Sequence, residues 1–158
     1  MKMIKGDLIV CSCEDDYEIA KNLTKEYMDW LGIDLCFQNI DNEFEFFESM
    51  YGQPKGCFLY ILHDGEIAGG VGLRYFKEGI CEMKRLFVNE DYRGFGYGLV
   101  LCEKLMEKAK NLGYVSMVLD TVIRLKTANA LYESIGFKDI PSYYDNPEET
   151  VRYMGIDL

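Results

Sequence analysis

Apolar positions along the chain switch between two periods, and the order of the switches predicts an architecture. Residues 6–13 alternate loosely, as a strand does. Residues 15–31 place Ala20, Leu23, Tyr27, Trp30 and Leu31 at 3.6-residue spacing, and Gly32 follows as a stop. A second helical stretch carries Ile40, Phe44, Phe47 and Tyr51 on one face and ends at Gly52. Three strand-like runs come next, 57–63, 66–75 and 80–88. Asp64-Gly65 between the first two is a two-residue hairpin signal, and Lys77-Glu-Gly79 supplies the next turn. The clearest helix is 96–112, where Leu99, Cys102, Leu105, Met106, Ala109 and Leu112 form a stripe with Glu103, Lys104, Glu107, Lys108 and Lys110 mostly outside it. Residues 115–121 read as a buried strand, 127–135 as a short helix stopped by Gly136, and 150–157 as a last strand. Hairpins followed by strand–helix–strand crossovers imply one α/β domain, a mixed sheet with helices on both faces.

Composition narrows the function classes. A chain of 158 residues, 49% apolar and 28% charged, reads as a single soluble domain over 1–158 with a core of its own. No apolar run approaches the ~20 residues of a membrane span. The start, Met1-Lys-Met-Ile-Lys-Gly-Asp7, has no secretory-signal pattern. Seventeen Lys and Arg against 27 Asp and Glu give a net charge of −10, which argues against nucleic acid as a partner. Six cysteines (11, 13, 36, 57, 81, 102) contain no Cys-x-x-Cys pair, and His63 is the only histidine, so no common zinc pattern forms and no metal is expected. Cys102 falls within the helical stripe as a small core residue; reduced, buried thiols point to the cytoplasm. His63 ends an apolar strand and reads as a strand-end residue rather than a base.

The chemistry concentrates in the stretch from Val88 to Leu99. A strand ends, a polar loop follows, and Gly94, Gly96 and Gly98 lead into the best helix. Glycines there permit positive φ and close approach of backbone N–H groups to a ligand, and the first N–H groups of a helix have no intrahelical partner. Such a turn holds phosphate or pyrophosphate; the bland alternative is a tight turn with no ligand. No Walker Lys-Ser/Thr follows Gly98. The Gly-x-Gly-x-Gly spacing is one residue short of a dinucleotide fingerprint, although Asp120 lies about 20 residues on, where a ribose-binding acid would sit. The turn lies past mid-chain, with too little sequence after it for a second mononucleotide half.

Arg93-Gly94-Phe95-Gly96-Tyr97-Gly98 resembles the Gln/Arg-x-x-Gly-x-Gly/Ala signature of the GNAT superfamily of acetyl-CoA-dependent N-acyltransferases. The order of elements from 6 to 157 is similar to that family's fold, a mixed, mostly antiparallel sheet. Asn129-Ala-Leu-Tyr132-Glu-Ser-Ile-Gly136-Phe137 resembles its last characteristic segment, with Asn129 and Tyr132 on one helix face. The resemblance implies an acetyl-CoA cosubstrate whose pyrophosphate lies on the amides of residues 93–98. The strand Leu86-Phe87-Val88 would pair with the pantetheine arm and polarise the thioester carbonyl, and Asn129 would bond that arm or its waters. It also implies Glu82, eleven residues before Arg93, as the base that deprotonates the amine, and Tyr132 as the acid that protonates the leaving thiolate. Packing or ion-pair roles for Glu82 and Tyr132, and deprotonation through ordered water, stay open beside these.

The acceptor is expected to be the primary amine of a small molecule. Glu43, Glu45 and Glu48 either attract a cationic amine or, more simply, solvate one side of a helix. Lys84 and Arg85 on a predicted interior strand, with Arg74 on its neighbour, need partners: Glu82, or a carboxylate on the acceptor. The aromatic segment 141–147 either shapes acceptor specificity or is an exposed connection. A homodimer is compatible with all of this. The competing function classes are a catalytically silent CoA-binding regulatory module and a truncated nucleotide-binding protein of Rossmann type.

Overall fold

The computed structural model of the chain describes residues 6–32, 40–145 and 150–158. The elements run β1 (Gly6–Val10), α1 (Glu14–Leu31), α2 (Ile40–Glu45), α3 (Phe47–Met50), β2 (Cys57–His63), β3 (Glu66–Lys77), β4 (Ile80–Val88), a 3-10 turn (Glu90–Tyr92), α4 (Tyr97–Asn111), β5 (Ser116–Val122), α5 (Lys126–Ile135), β6 (Lys138–Asp139) and β7 (Val151–Asp157). The seven strands form one sheet in the order β1-β2-β3-β4-β5-β7-β6, and only the β4–β5 pair is parallel. This is the mixed, mostly antiparallel sheet expected.

Period-2 alternation assigns each strand two faces. Leu59 and Ile61 of β2 join Met83 of β4, Leu119 of β5 and the buried side of α4; Phe58 and Tyr60 turn the other way, toward Tyr17, Leu23, Phe47 and Tyr51 of α1–α3. At the β2–β3 hairpin both Asp64 and Gly65 have positive φ (48° and 83°), the requirement of a two-residue turn matched to strand twist. Gly32 and Gly136 close α1 and α5 in left-handed conformation.

Several boundaries differ from the periodicity. Strand β1 stops at Val10 because the chain turns into α1, where the Asp16 carboxylate accepts from the Ser12 N–H at 3.0 Å. The stretch from Ile40 to Tyr51 is two short helices broken at Phe46. In α4 the buried positions are Tyr97, Leu101, Cys102, Leu105 and Ala109, while Leu99 is exposed. Two overlapping apolar stripes share Cys102, Leu105 and Ala109, and packing against the sheet chose between them. Glu43 is buried rather than solvating a helix face. Cys11, Cys57, Cys81 and Cys102 are buried thiols and Cys13 is exposed; Cys36 lies outside the described residues. No helix among the described residues is long and apolar enough to cross a membrane.

Candidate active site

The site begins with an interrupted ladder. Strands β4 and β5 pair only over Ile80–Ser116, Cys81–Met117 and Glu82–Val118. Beyond that point β4 stays with β3 as far as Val88, and β5 stays with β7 as far as Val122, so the two strands diverge. On β4 the divergence coincides with a bulge: Gly70 and Gly72 face Phe87 and Lys84, so β4 carries one extra residue, and Arg85 takes φ 61°. Past Glu82 the edge of β4 that faces β5 has no ladder partner there, leaving main-chain donors and acceptors toward the gap.

A cavity of about 540 Å3 fills this gap. Its walls are Met83–Val88 of β4, Leu119–Val122 of β5, Leu131 and Tyr132 of α5, Tyr27, Trp30 and Leu31 of α1, and the glycine turn. At the turn, Gly94 and Gly96 have φ of 91° and 81°, and Gly96 caps α4. A Cβ at either would meet nothing within 4 Å, so the glycines serve backbone shape rather than tight packing. No backbone acceptor among the described residues takes the amides from Gly94 to Leu99. The helix dipole adds to them at the same place.

Of the residues the sequence singled out, Leu86, Phe87, Val88, Arg93, Gly94, Gly96, Tyr97, Gly98 and Tyr132 line this one cavity. The Arg93 guanidinium sits 4.7 Å from the Trp30 ring centre and its Nε donates to the Val88 carbonyl at 2.9 Å. Tyr132 is buried in the wall, and burial raises its phenol well above the usual range, so it is a neutral O–H donor. Three residues fall elsewhere. Phe95 turns away and stacks on His63, with ring centres 4.7 Å apart. Asn129 accepts from Thr121 Oγ1 at 2.9 Å and donates to the Val122 carbonyl at 3.1 Å, pinning α5 to the end of β5. Glu82 is 1% exposed and outside the cavity walls; Arg74 Nε and the Tyr143 hydroxyl hold its two oxygens at 2.7 and 2.6 Å.

The buried charges on the α1–α3 side of the sheet pair off across elements. Arg85 makes a two-pronged bond to Glu43 of α2, at 3.0 and 3.1 Å. Lys84 Nζ lies 3.5 Å from Asp120 Oδ1, and the Tyr144 hydroxyl donates to Asp120 Oδ2 at 2.6 Å. Burial pushes the Glu43 carboxyl up, but the Arg85 charge and hydrogen bonds outweigh it and hold the group below its ordinary range. In Asp120 the Lys84 charge and the Tyr144 bond likewise overcome burial. The described part of the aromatic segment, 141–145, is thus a polar brace that faces inward; residues 146 and 147 lie outside the described residues.

The Arg93–Gly98 signature resembles one family, and comparison with known proteins decides the matter. The Acetyltransferase (GNAT) family profile matches residues 20–137. The chain belongs to the GNAT acetyltransferase family. An uncharacterized N-acetyltransferase of Schizosaccharomyces pombe is 40% identical over 145 residues, covering 90% of this chain and 89% of its own. Among solved structures, an acetyltransferase from Streptococcus agalactiae superposes with a TM-score of 0.77 at 23% identity, over 97% of this chain and 98% of its own. The PaiA N-acetyltransferase of Thermoplasma acidophilum, solved with coenzyme A, does so with 0.69 at 17% identity, over 96% and 99%.

As a GNAT N-acetyltransferase, the chain is acyl-CoA dependent, and its residues suit such a cosubstrate. The turn presents amides with no backbone acceptor among the described residues, the β5-facing edge of β4 offers main-chain bonds to an extended amide-bearing arm, and both line one cavity. The reading of residues from the sequence missed Asp120 as part of the cavity wall, considering it only as a ribose acid. Alternation in β5 does place it on the opposite face from Leu119, but only the splay exposes that face to a ligand.

Proposed function

We propose that this N-acetyltransferase moves the acetyl group of acetyl-CoA to the primary amine of a small molecule, by direct attack while both are bound. The observation that carries the reading is one cavity that runs from the glycine turn along the open edge of β4 to the Tyr132 phenol. Phosphates rest on the amides of Gly94–Leu99, beside Arg93 and the α4 N-terminus. Charge supports this: in a chain of net −10, Asp120 and Glu43 answer Lys84 and Arg85, and the described cavity walls still carry Arg93, Arg124 and Lys126. A basic cleft in an acidic surface draws in a phosphate-rich cosubstrate. The coenzyme A bound to the Thermoplasma protein, which shares the fold, supports a CoA cosubstrate here.

The bulge at Arg85 and the β5-facing backbone edge of Leu86–Val88 supply donors for the thioester oxygen as charge develops on it. Tyr132, neutral and in the wall, gives its proton to the departing thiolate. Glu82 and Asn129, both saturated by protein partners and outside the walls, brace the site instead of touching the substrates.

Calorimetric titration with acetyl-CoA, followed by a panel of monoamines, polyamines and amino acids assayed for CoA release, tests the reading. Acetyl-CoA binding and turnover of at least one amine, with intersecting double-reciprocal plots, are expected. Parallel plots would point to an acetyl-enzyme and overturn direct attack; binding without turnover would favour a regulatory CoA-binding module.

A further inference from the structure

We infer that Asp120 is the group that meets the acceptor's ammonium and takes its proton. The inference rests on the acetyl-transfer reading above and names the residue that this reading lacks.

The cavity leaves a cationic amine little choice. Asp120 is the only Asp or Glu in the described cavity walls, and Tyr132 stands in the same walls. It lies on β5 two residues beyond Val118, the last residue paired with β4, so its side chain enters the gap where the strands begin to part. Lys84 and the Tyr144 hydroxyl hold its two oxygens while the residue lines the cavity, whereas Arg74 and Tyr143 hold Glu82 outside it. A preset carboxylate binds a cation without reorganising first.

The neighbours of Asp120 keep it ionised, so it meets the ammonium as a carboxylate. Lys84 and Arg85 face it from β4, Tyr27 from α1, Tyr132 from α5, Tyr143 and Tyr144 from the segment after β6, and Tyr153 from its register position on β7. The Lys84 and Arg85 charges, the latter paired with Glu43 of α2, also lie beside an incoming ammonium, where positive charge disfavours its charged form and lowers its pKa. In the step, the ammonium passes one proton to the Asp120 carboxylate, and the freed lone pair bonds to the acetyl carbon. The C–S bond then breaks with its electron pair going to sulfur. The thiolate takes the Tyr132 proton, the second proton on nitrogen restores the phenol, and Asp120 returns its proton to solvent as products leave.

The test is Asp120→Asn in the full chain, assayed with the amine that the unaltered protein turns over fastest in the panel above. The expected result is unchanged acetyl-CoA affinity by calorimetry and a kcat/KM at neutral pH lower by about 10²–10⁴-fold, the range general-base help supplies. That loss should shrink roughly tenfold per pH unit toward the amine's own pKa, as free amine forms without help. Should circular dichroism show D120N unfolded, the K84M and D120N double variant, which removes both charges of the pair, replaces it, read against K84M alone, with the same loss of kcat/KM and the same alkaline recovery expected. Equal kcat/KM and superimposable pH profiles for variant and parent overturn the role of Asp120 alone. A parent protein that binds acetyl-CoA yet acetylates no amine overturns the transferase reading and this role together.

Discussion

Single side chains separate chemistry from bracing. Tyr132→Phe removes one hydroxyl from the cavity wall and little volume. Acetyl-transfer rate should fall about 10²-fold or more while acetyl-CoA affinity stays put, measured by stopped-flow CoA release and calorimetry. Wild-type turnover would make Tyr132 a packing residue. Glu82→Gln should do the reverse: it strips charge from a buried carboxylate that holds Arg74 and Tyr143, so the melting temperature falls while the pH profile of turnover keeps its shape. An alkaline recovery in Glu82→Gln would return the base to Glu82. A third case is Tyr51, whose hydroxyl is buried with no hydrogen-bond partner among the described residues. Tyr51→Phe removes a desolvated group that gains nothing, and thermal denaturation should show equal or higher stability; a clear loss would reveal a partner for that oxygen.

At the scale of elements, the turn before α4 and the bulge in β4 set the site. Gly96 caps α4 with φ 81° in open space, so a substitution there is opposed by conformation and not by crowding. Gly96→Val puts a β-branched residue in the left-handed region, at a local cost of about 1–2 kcal/mol or more. The turn relaxes away from this shape, and acetyl-CoA affinity should weaken roughly tenfold or beyond, with the melting curve as control. Unchanged affinity in a folded variant would separate the turn from phosphate binding. His63 supports the same turn from the end of β2: its ring packs on Tyr92, Phe95 and Tyr97, and its Nδ1 is 2.5 Å from the Tyr97 hydroxyl. The strand-end role read for it from sequence therefore extends to bracing the glycine turn. Spacing alone has no means of showing that contact, because it joins residues 34 positions apart.

For the whole molecule, buried charge pairs tie α2, β4 and β5 together and link stability to pH. Glu43 and Asp120 are both held below their ordinary values of 4.5 and 3.8, so in acid the unfolded chain takes up protons that the folded chain refuses. Their stabilisation is in full effect above the unfolded values and is lost as pH falls below them through the lower folded values. Urea unfolding at stepped pH should show stability declining below about pH 4.5, and Glu43→Gln should flatten that decline. Removing one partner of the Arg85–Glu43 pair strands a buried charge, so Glu43→Gln is also expected to lower stability by roughly 3–5 kcal/mol at neutral pH. A loss near zero would mean that water reaches Arg85.

The sequence by itself determined most of the elements, their order and the glycine turn, because periodicity, stop glycines and positive-φ turns are local properties of a few adjacent residues; the break at Phe46 and the short strand β6 came only with packing. It also brought Arg93–Gly98 and Tyr132 to one site, through a resemblance carried by contiguous motifs. Partner choice belonged to the tertiary structure. Lys84, Arg85 and Arg74 declared a need for counter-charges, yet Asp120, Glu43 and Glu82 lie between 8 and 42 residues from them, and chain spacing gives no rule for which meets which. The same holds for the rotation of α4 about its axis, where the stripe read from the sequence ran through Leu99 and the sheet selected Leu101 instead. Most of all, the parting of β4 from β5 after Glu82 decided which carboxylate faces the cavity. A strand pattern marks the two faces of a strand, and only the neighbouring strand's position decides whether either face meets a ligand.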